Sequence, residues 1–139
     1  MPLRPRRLHR PQHPRRAAAI VELAVLLPIL VFLFVIAVDF ARVFYFSQVI
    51  ENCARQGALY ASDPKAPAYN RYASLQDAAL ADAPDLTPQP TVSSTTGTDA
   101  AGNGYVAVTV TWQFQTITNF PAVPNNMTIS RTVQMRMAP

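Results

Sequence analysis

The sequence predicts an α+β protein in which one long N-terminal helix, transmembrane in its first half and amphipathic in its second, packs on a small antiparallel sheet. Three observations predict it. Leu23 to Val38 is a run of sixteen residues without a charge. Beyond it, apolar residues recur at three- and four-residue steps as far as Ala61, the period of a half-buried helix. Two late segments, Tyr105–Gln115 and Met127–Met137, alternate apolar and polar side chains, the period of a strand with one covered face. At 139 residues the chain has room for one domain and an anchor.

The charge is divided along the chain. Residues 1–16 carry Arg4, Arg6, Arg7, Arg10, Arg15 and Arg16 and no acid, while the other 123 residues hold six basic and eight acidic side chains. The high pI therefore belongs to the tail, and the remainder offers no basic surface suited to nucleic acid. A basic tail followed at once by an apolar run suits anionic headgroups and topology control. Ala17 to Val38 is twenty-two residues, interrupted only by Glu22. A bilayer core of about 30 Å needs roughly 20 helical residues. Pro28 inside the run is tolerated in a membrane helix. The arginines place the N-terminus in the cytoplasm and residues 39–139 on the far side. The same run also fits a signal peptide, with Leu23–Ile36 as its apolar region and a cut after Ala37. Glu22, and a helical pattern that continues past Ala37, argue against that cut.

From residue 39 the predicted stripe is Phe40, Val43, Phe44, Ile50, Cys53, Ala54, Gly57, Ala58 and Ala61, with Asp39, Arg42, Gln48, Glu51, Arg55 and Gln56 mostly off it. One helix from about Ala17 to about Ser62 follows, roughly 65–70 Å long. Small residues at 54, 57, 58 and 61 let another backbone or a sheet approach, although alanines also serve simply as helix formers. Asp39 with Arg42, and Glu51 with Arg55, are spaced to pair on a helix surface, and Asp39 and Arg42 mark the outer membrane boundary. Ser62-Asp63-Pro64 and Pro67 end the helix. A short helix is expected at about Tyr72–Ala81, where Tyr72, Leu75, Ala79 and Leu80 share a face. Pro84, Pro88 and Pro90 break the chain, a weaker strand is expected near Pro90–Thr95, and the polar stretch Ser93–Gly104 reads as a loop or hairpin turn. In Tyr105–Gln115, Val106, Val108, Val110, Trp112 and Phe114 share one face. In Met127–Met137, Met127, Ile129, Val133, Met135 and Met137 do, with Arg131 as a break. A connection holding Pro121 and Pro124 makes the two an antiparallel ribbon, and the apolar stripe of the long helix is its natural cover.

Little in the chain suggests chemistry. His9 and His13 both lie in the basic tail. Cys53 is the single cysteine, which excludes an internal disulfide and a cysteine-based metal site; it reads as a small apolar residue of the stripe rather than as half of an intermolecular bond. Asp77, Asp82 and Asp85 are spaced as a solvated edge. No phosphate loop, calcium loop or nucleophile motif is found. The expectation is a non-enzymatic protein with no catalytic residues, no metal, no cofactor and no small-molecule substrate.

The stretch Arg15-Arg16-Ala17-Ala18-Ala19-Ile20-Val21-Glu22-Leu23-Ala24-Val25-Leu26-Leu27-Pro28 resembles the start of TadE-like proteins, minor pilins or pseudopilins of the tight-adherence (Flp-type) pilus system of bacteria. A second match follows in Asp39-Phe40-Ala41-Arg42 and Asn52-Cys53-Ala54-Arg55-Gln56-Gly57-Ala58-Leu59-Tyr60-Ala61. Together they cover about residues 15–61; residues 62–139 are similar only in style. The resemblance implies a pilin-like fold, a bacterial inner-membrane location or a place in a pilus, and other pilus-assembly subunits and the lipid bilayer as partners. It implies a cut by a prepilin peptidase between Ala17 and Ala18, with Glu22 as fifth residue of the product; alanine stands before the cut where pilin precursors usually carry glycine. Glu22 would then pair with a neighbouring subunit's N-terminal amine and set subunit register, whereas at headgroup depth it would simply stay hydrated. Asp39, Arg42, Asn52, Arg55 and Gly57 are the candidate helix-packing and interaction residues. Two further readings stand beside this one: an uncleaved, anchored accessory protein of the same system, and a secreted binding module released by signal peptidase.

Overall fold

The computed structural model describes the backbone of residues 14–117 and 126–138, and side chains from residue 17 onward. The arginine-rich tail, both histidines and the connection with Pro121 and Pro124 lie outside the described residues. Six elements follow in order: α1 (Pro14–Ser62), α2 (Ala66–Tyr69), α3 (Leu75–Leu80), β1 (Thr91–Thr98), β2 (Gly104–Gln115) and β3 (Asn126–Arg136). The chain divides into two units, Met1–Ala37 and Val38–Pro139. In the first, α1 runs unbroken through Pro28, and side chains 17–34 are all exposed. Apart from Glu22 this stretch is apolar, and an apolar helix with no protein cover is unstable in water and natural in lipid.

In the second unit a three-stranded antiparallel sheet has the order β1-β2-β3. β2 pairs with β3 from Tyr105 opposite Arg136 to Gln115 opposite Asn126, the expected ribbon. The five apolar side chains of β2 alternate inward and are all buried. Ile50, Cys53, Ala54 and Ala58 of α1 and Ile129 of β3 join them in one core, so the rear half of the long helix covers the sheet as the alternation requires. The approach is closest at Gly57. A methyl there would lie 3.0 Å from Val108 Cγ1 and 3.1 Å from Ala79 Cβ, so a hydrogen suits this crossing better than any side chain.

Several expectations are corrected. Phe40 and Phe44 are exposed, and the aromatic on the buried face is Phe46, whose ring centroid lies 4.9 Å from that of Trp112 and 5.8 Å from that of Phe114. The stripe therefore runs 43, 46, 50, 53, 57, and Phe44 is out of step with it. The weaker strand expected near Pro90–Thr95 is present and longer, so that 96–98, expected as loop or turn, are strand as well: β1 pairs with β2 from Thr91 opposite Thr111 to Thr98 opposite Gly104. Its serines and threonines are polar but β-compatible, and an exposed edge strand needs few apolar residues. The turn is confined to 99–103. There Asp99 Oδ1 accepts from the Ala101 N–H at 2.9 Å and the Asn103 N–H at 2.7 Å, and Gly102 takes a φ of 83°. The Asn103 N–H and side-chain amide, and then the Ala101 N–H, hold the Asp99 carboxyl below the usual carboxylate range.

The helix expected at Tyr72–Ala81 begins only at Leu75, because Ser74 is its N-cap and accepts from the Asp77 N–H at 3.1 Å. A one-turn helix, α2, precedes it, with Pro67 in its first turn. Asp63 closes the exit from α1, accepting from the Lys65 N–H at 2.8 Å. The Ala138 N–H donates to the Ser62 carbonyl at 2.8 Å, which ties the C-terminal segment to the end of α1.

Candidate functional site

The candidate residues occupy three settings along α1. Ala17, Ala18 and Glu22 lie on its first turns with exposed side chains. Glu22 is the single charge among the described side chains from Ala17 to Val38. The helix Ala17–Ser62 is long and apolar enough to cross a membrane.

Asp39 and Arg42 form the second setting. The Arg42 Nη1 donates to Asp39 Oδ1 at 3.2 Å, as their spacing predicts. The pair is not the exposed surface pair expected from sequence, because Asp39 is only 5% exposed. Its Oδ1 also accepts the backbone N–H of Ile117 at 3.0 Å, across 78 residues of sequence. Arg42 lies with its guanidinium carbon 5.1 Å from the centre of the Phe114 ring, a cation–π contact that offsets part of its desolvation. Asp39 thus fastens the chain just past β2 to the middle of α1. No periodicity argument could reveal the Ile117 contact; the one signal in the sequence is an acid where the stripe passes.

The third setting is the helix surface farther along. Asn52 and Arg55 are exposed, and Arg55 Nη2 meets Glu51 Oε1 at 3.5 Å with both side chains well solvated. Such a pair contributes a few tenths of a kcal/mol. Gly57 is separate from these, sealed in the core. Sequence reasoning also missed the role of Arg131. Its Nη2 donates to Ser47 Oγ on α1 and its Nη1 to the Ser130 carbonyl at 2.9 Å, which explains a charge in the apolar alternation of β3.

Cys53 is a free, fully buried thiol in the core. Burial, with the Asp82 carboxylate adding to it, pushes the thiol from an ordinary 9.0 up to about 11. Iodoacetamide at pH 8 should therefore leave the folded chain unmodified and alkylate it fully in denaturant; rapid labelling of the folded chain would contradict the packing. The pH dependence follows in sign. Between about 9 and about 11 the unfolded thiol has lost its proton while the folded one keeps it, so stability should fall as pH rises through that window and be unaffected by Cys53 below it.

Among the described residues no group of three or more histidine, cysteine or acidic side chains is placed to hold a metal. No curated protein and no solved structure gives a significant match to the chain. Residues 17–59 match the family model described as TadE-like protein, the family that the two sequence motifs resemble.

Proposed function

We propose that the protein is a membrane-anchored minor pilin or pseudopilin that takes part in assembly of a Flp-type pilus, without catalysis, through helix packing in the membrane and contacts of residues 39–139 outside it. The observation that carries this reading is the division of labour along the matched segment. Its first part is apolar, uncovered by protein and interrupted by the single acid Glu22. Its second part is built into the core of a small domain. An enzyme needs a polar site around reacting atoms, whereas this arrangement suits a protein that acts by being embedded and packed. The six arginines of residues 1–16 support a cytoplasmic N-terminus. Asn52 and Arg55 supply exposed polar groups for partner subunits, and Asp39, Arg42 and Gly57 shape the helix that presents them.

In this reading a prepilin peptidase cuts between Ala17 and Ala18. Glu22 then pairs with the N-terminal ammonium of a neighbouring subunit, because an unpaired carboxylate in lipid costs several kcal/mol. The test is the mass of the mature protein, from membranes and supernatant of a host with the matching peptidase. A start at Ala18 is expected. A start at Met1 would replace the pilin with an uncleaved accessory protein of the same system, and a soluble product starting at Val38 would leave a secreted module. With processing established, Glu22→Ala and Glu22→Gln should each lower recovery of the protein with sheared filaments by about tenfold or more while leaving its membrane level unchanged, because losing one partner of a buried pair costs ~3–5 kcal/mol. Unchanged recovery would remove Glu22 from register.

A further inference from the structure

We infer that the end of the Val38–Pro139 unit that carries Val38 is a lipid-contacting foot: Phe40, Phe44, Tyr45 and Ile117 enter the interfacial layer of the bilayer, and on the outward side of α1 the membrane boundary lies between Tyr45 and Gln48 rather than at Asp39. This rests on the membrane-anchored reading above and extends it from the apolar run to the domain.

The sequence places the boundary at Asp39 and Arg42 because charges prefer water. The structure removes that reason. Asp39 is 5% exposed and accepts from both Arg42 and the Ile117 N–H. The Arg42 side chain is 35% exposed and rests on the Phe114 ring. A charge already paired and covered by its own domain loses little further hydration when lipid comes near. Meanwhile the outward surface stays apolar. Every fully exposed side chain from Leu23 to Tyr45 is uncharged, and the next exposed residue is Gln48. Phe40 is 76% exposed, Phe44 65% and Tyr45 64%. Ile117, 63% exposed, joins them at this end because its N–H is held by Asp39. At the other end of the sheet, away from Gln115 and Asn126, stand the polar turn 99–103 and Arg136.

Length favours the same boundary. The sixteen residues Leu23–Val38 rise only about 24 Å, short of a hydrocarbon core of about 30 Å. Continued to Tyr45, the uncharged outward face rises about 34 Å, enough to cross the core and enter one interface. Phenylalanine and tyrosine on the last two turns match the aromatic belt that anchors membrane helices at headgroup level. Lipid is the occupant that the continuity of this face with the apolar run on one helix selects; a protein partner would need no such continuity.

The experiment uses the full chain in phosphatidylcholine/phosphatidylglycerol nanodiscs loaded at one copy per disc. Spin labels go on Phe44→Cys, Tyr45→Cys and Ile117→Cys, with Leu27→Cys, Asn52→Cys and Thr98→Cys as references. Buried Cys53 takes no label at neutral pH, which the unsubstituted chain checks, and Trp112 emission verifies that each variant is folded. Collision with oxygen reports lipid, and collision with a nickel chelate reports water. The labels at 44, 45 and 117 should favour oxygen, as at 27, and the preference should reverse to the nickel chelate at 52 and 98. Nickel access at 44, 45 and 117 with oxygen access at 27 would overturn the foot and leave the anchor standing. Exclusion of both reagents at these positions would mean protein cover and would overturn it too. Nickel access at 27 would remove the anchor, and the foot with it.

Discussion

Replacing Phe114 by alanine is expected to destabilise the Val38–Pro139 unit by about 3–5 kcal/mol, the largest single-residue effect in the protein. Phe114 is among the largest fully buried side chains, and three groups depend on it. Phe46 packs with its ring centroid 5.8 Å away, Trp112 meets it edge-on at 6.1 Å, and the Arg42 guanidinium carbon lies 5.1 Å from its centre. Truncation opens a cavity between α1 and β2, and neither backbone can close it without breaking a ladder. A small domain has about 5–15 kcal/mol in total, so a loss near 4 kcal/mol lowers the folded-to-unfolded ratio by about a thousandfold. The apolar segment contributes none of the core residues, so far-UV helicity of the full chain in detergent should persist in part while Trp112 emission shifts to the red. Chemical unfolding followed by Trp112 emission gives the difference. A loss below about 1 kcal/mol would mean that the aromatic cluster is not the centre of the core.

How much of this was legible in the sequence follows from the period of each element. The long helix and β2 are legible because each carries one strong signal: an uncharged run from Leu23 to Val38, and strict alternation from Val106 to Phe114. The family resemblance was carried by these same helical residues, and it is residues 17–59 that match the family model. The sequence shows β1 only weakly, near Pro90–Thr95, and hides its end at Thr98, because an edge strand with little to bury has the composition of a loop and its pairing with β2 is a fact of tertiary structure. Phe40 and Phe44 read as core because they are large and apolar; hydrophobicity does not tell a side chain that faces the sheet from one that stays exposed. Ser74 and Asp63 could have marked the true ends of α3 and α1, since capping residues are visible in sequence. The contact between Asp39 and Ile117 could not. It joins a helix residue to a backbone N–H 78 positions away, and backbone donors carry no signature.

That contact gives the second large effect. Asp39→Ala should cost about 2–4 kcal/mol. It strands two donors at once: the Ile117 N–H, which gave 3.0 Å to the carboxylate, and the Arg42 guanidinium, which gave 3.2 Å. The upper figure for a broken buried pair is reduced because the Arg42 side chain, at 35% exposure, recovers some water. Asp39→Asn keeps an acceptor for Ile117 and loses the ionic component, so about 1–2 kcal/mol is expected. Removing Arg42 as well should be less harmful than the sum of the two single changes, with a coupling of about 1 kcal/mol or more. Amide exchange separates this from a general loss of stability. If Asp39 fastens the end of β2, the Ile117 amide should exchange faster in Asp39→Ala than the Val108 amide does, because the opening is local. Equal acceleration at both positions would make Asp39 an ordinary buried residue. No change in either would mean that the Ile117 N–H finds another acceptor. The position matters because an acid at this end of the domain is tolerable near lipid only while its charge is paired. The same substitution leaves Arg42 as a lone cation there, and it should draw the foot back toward water.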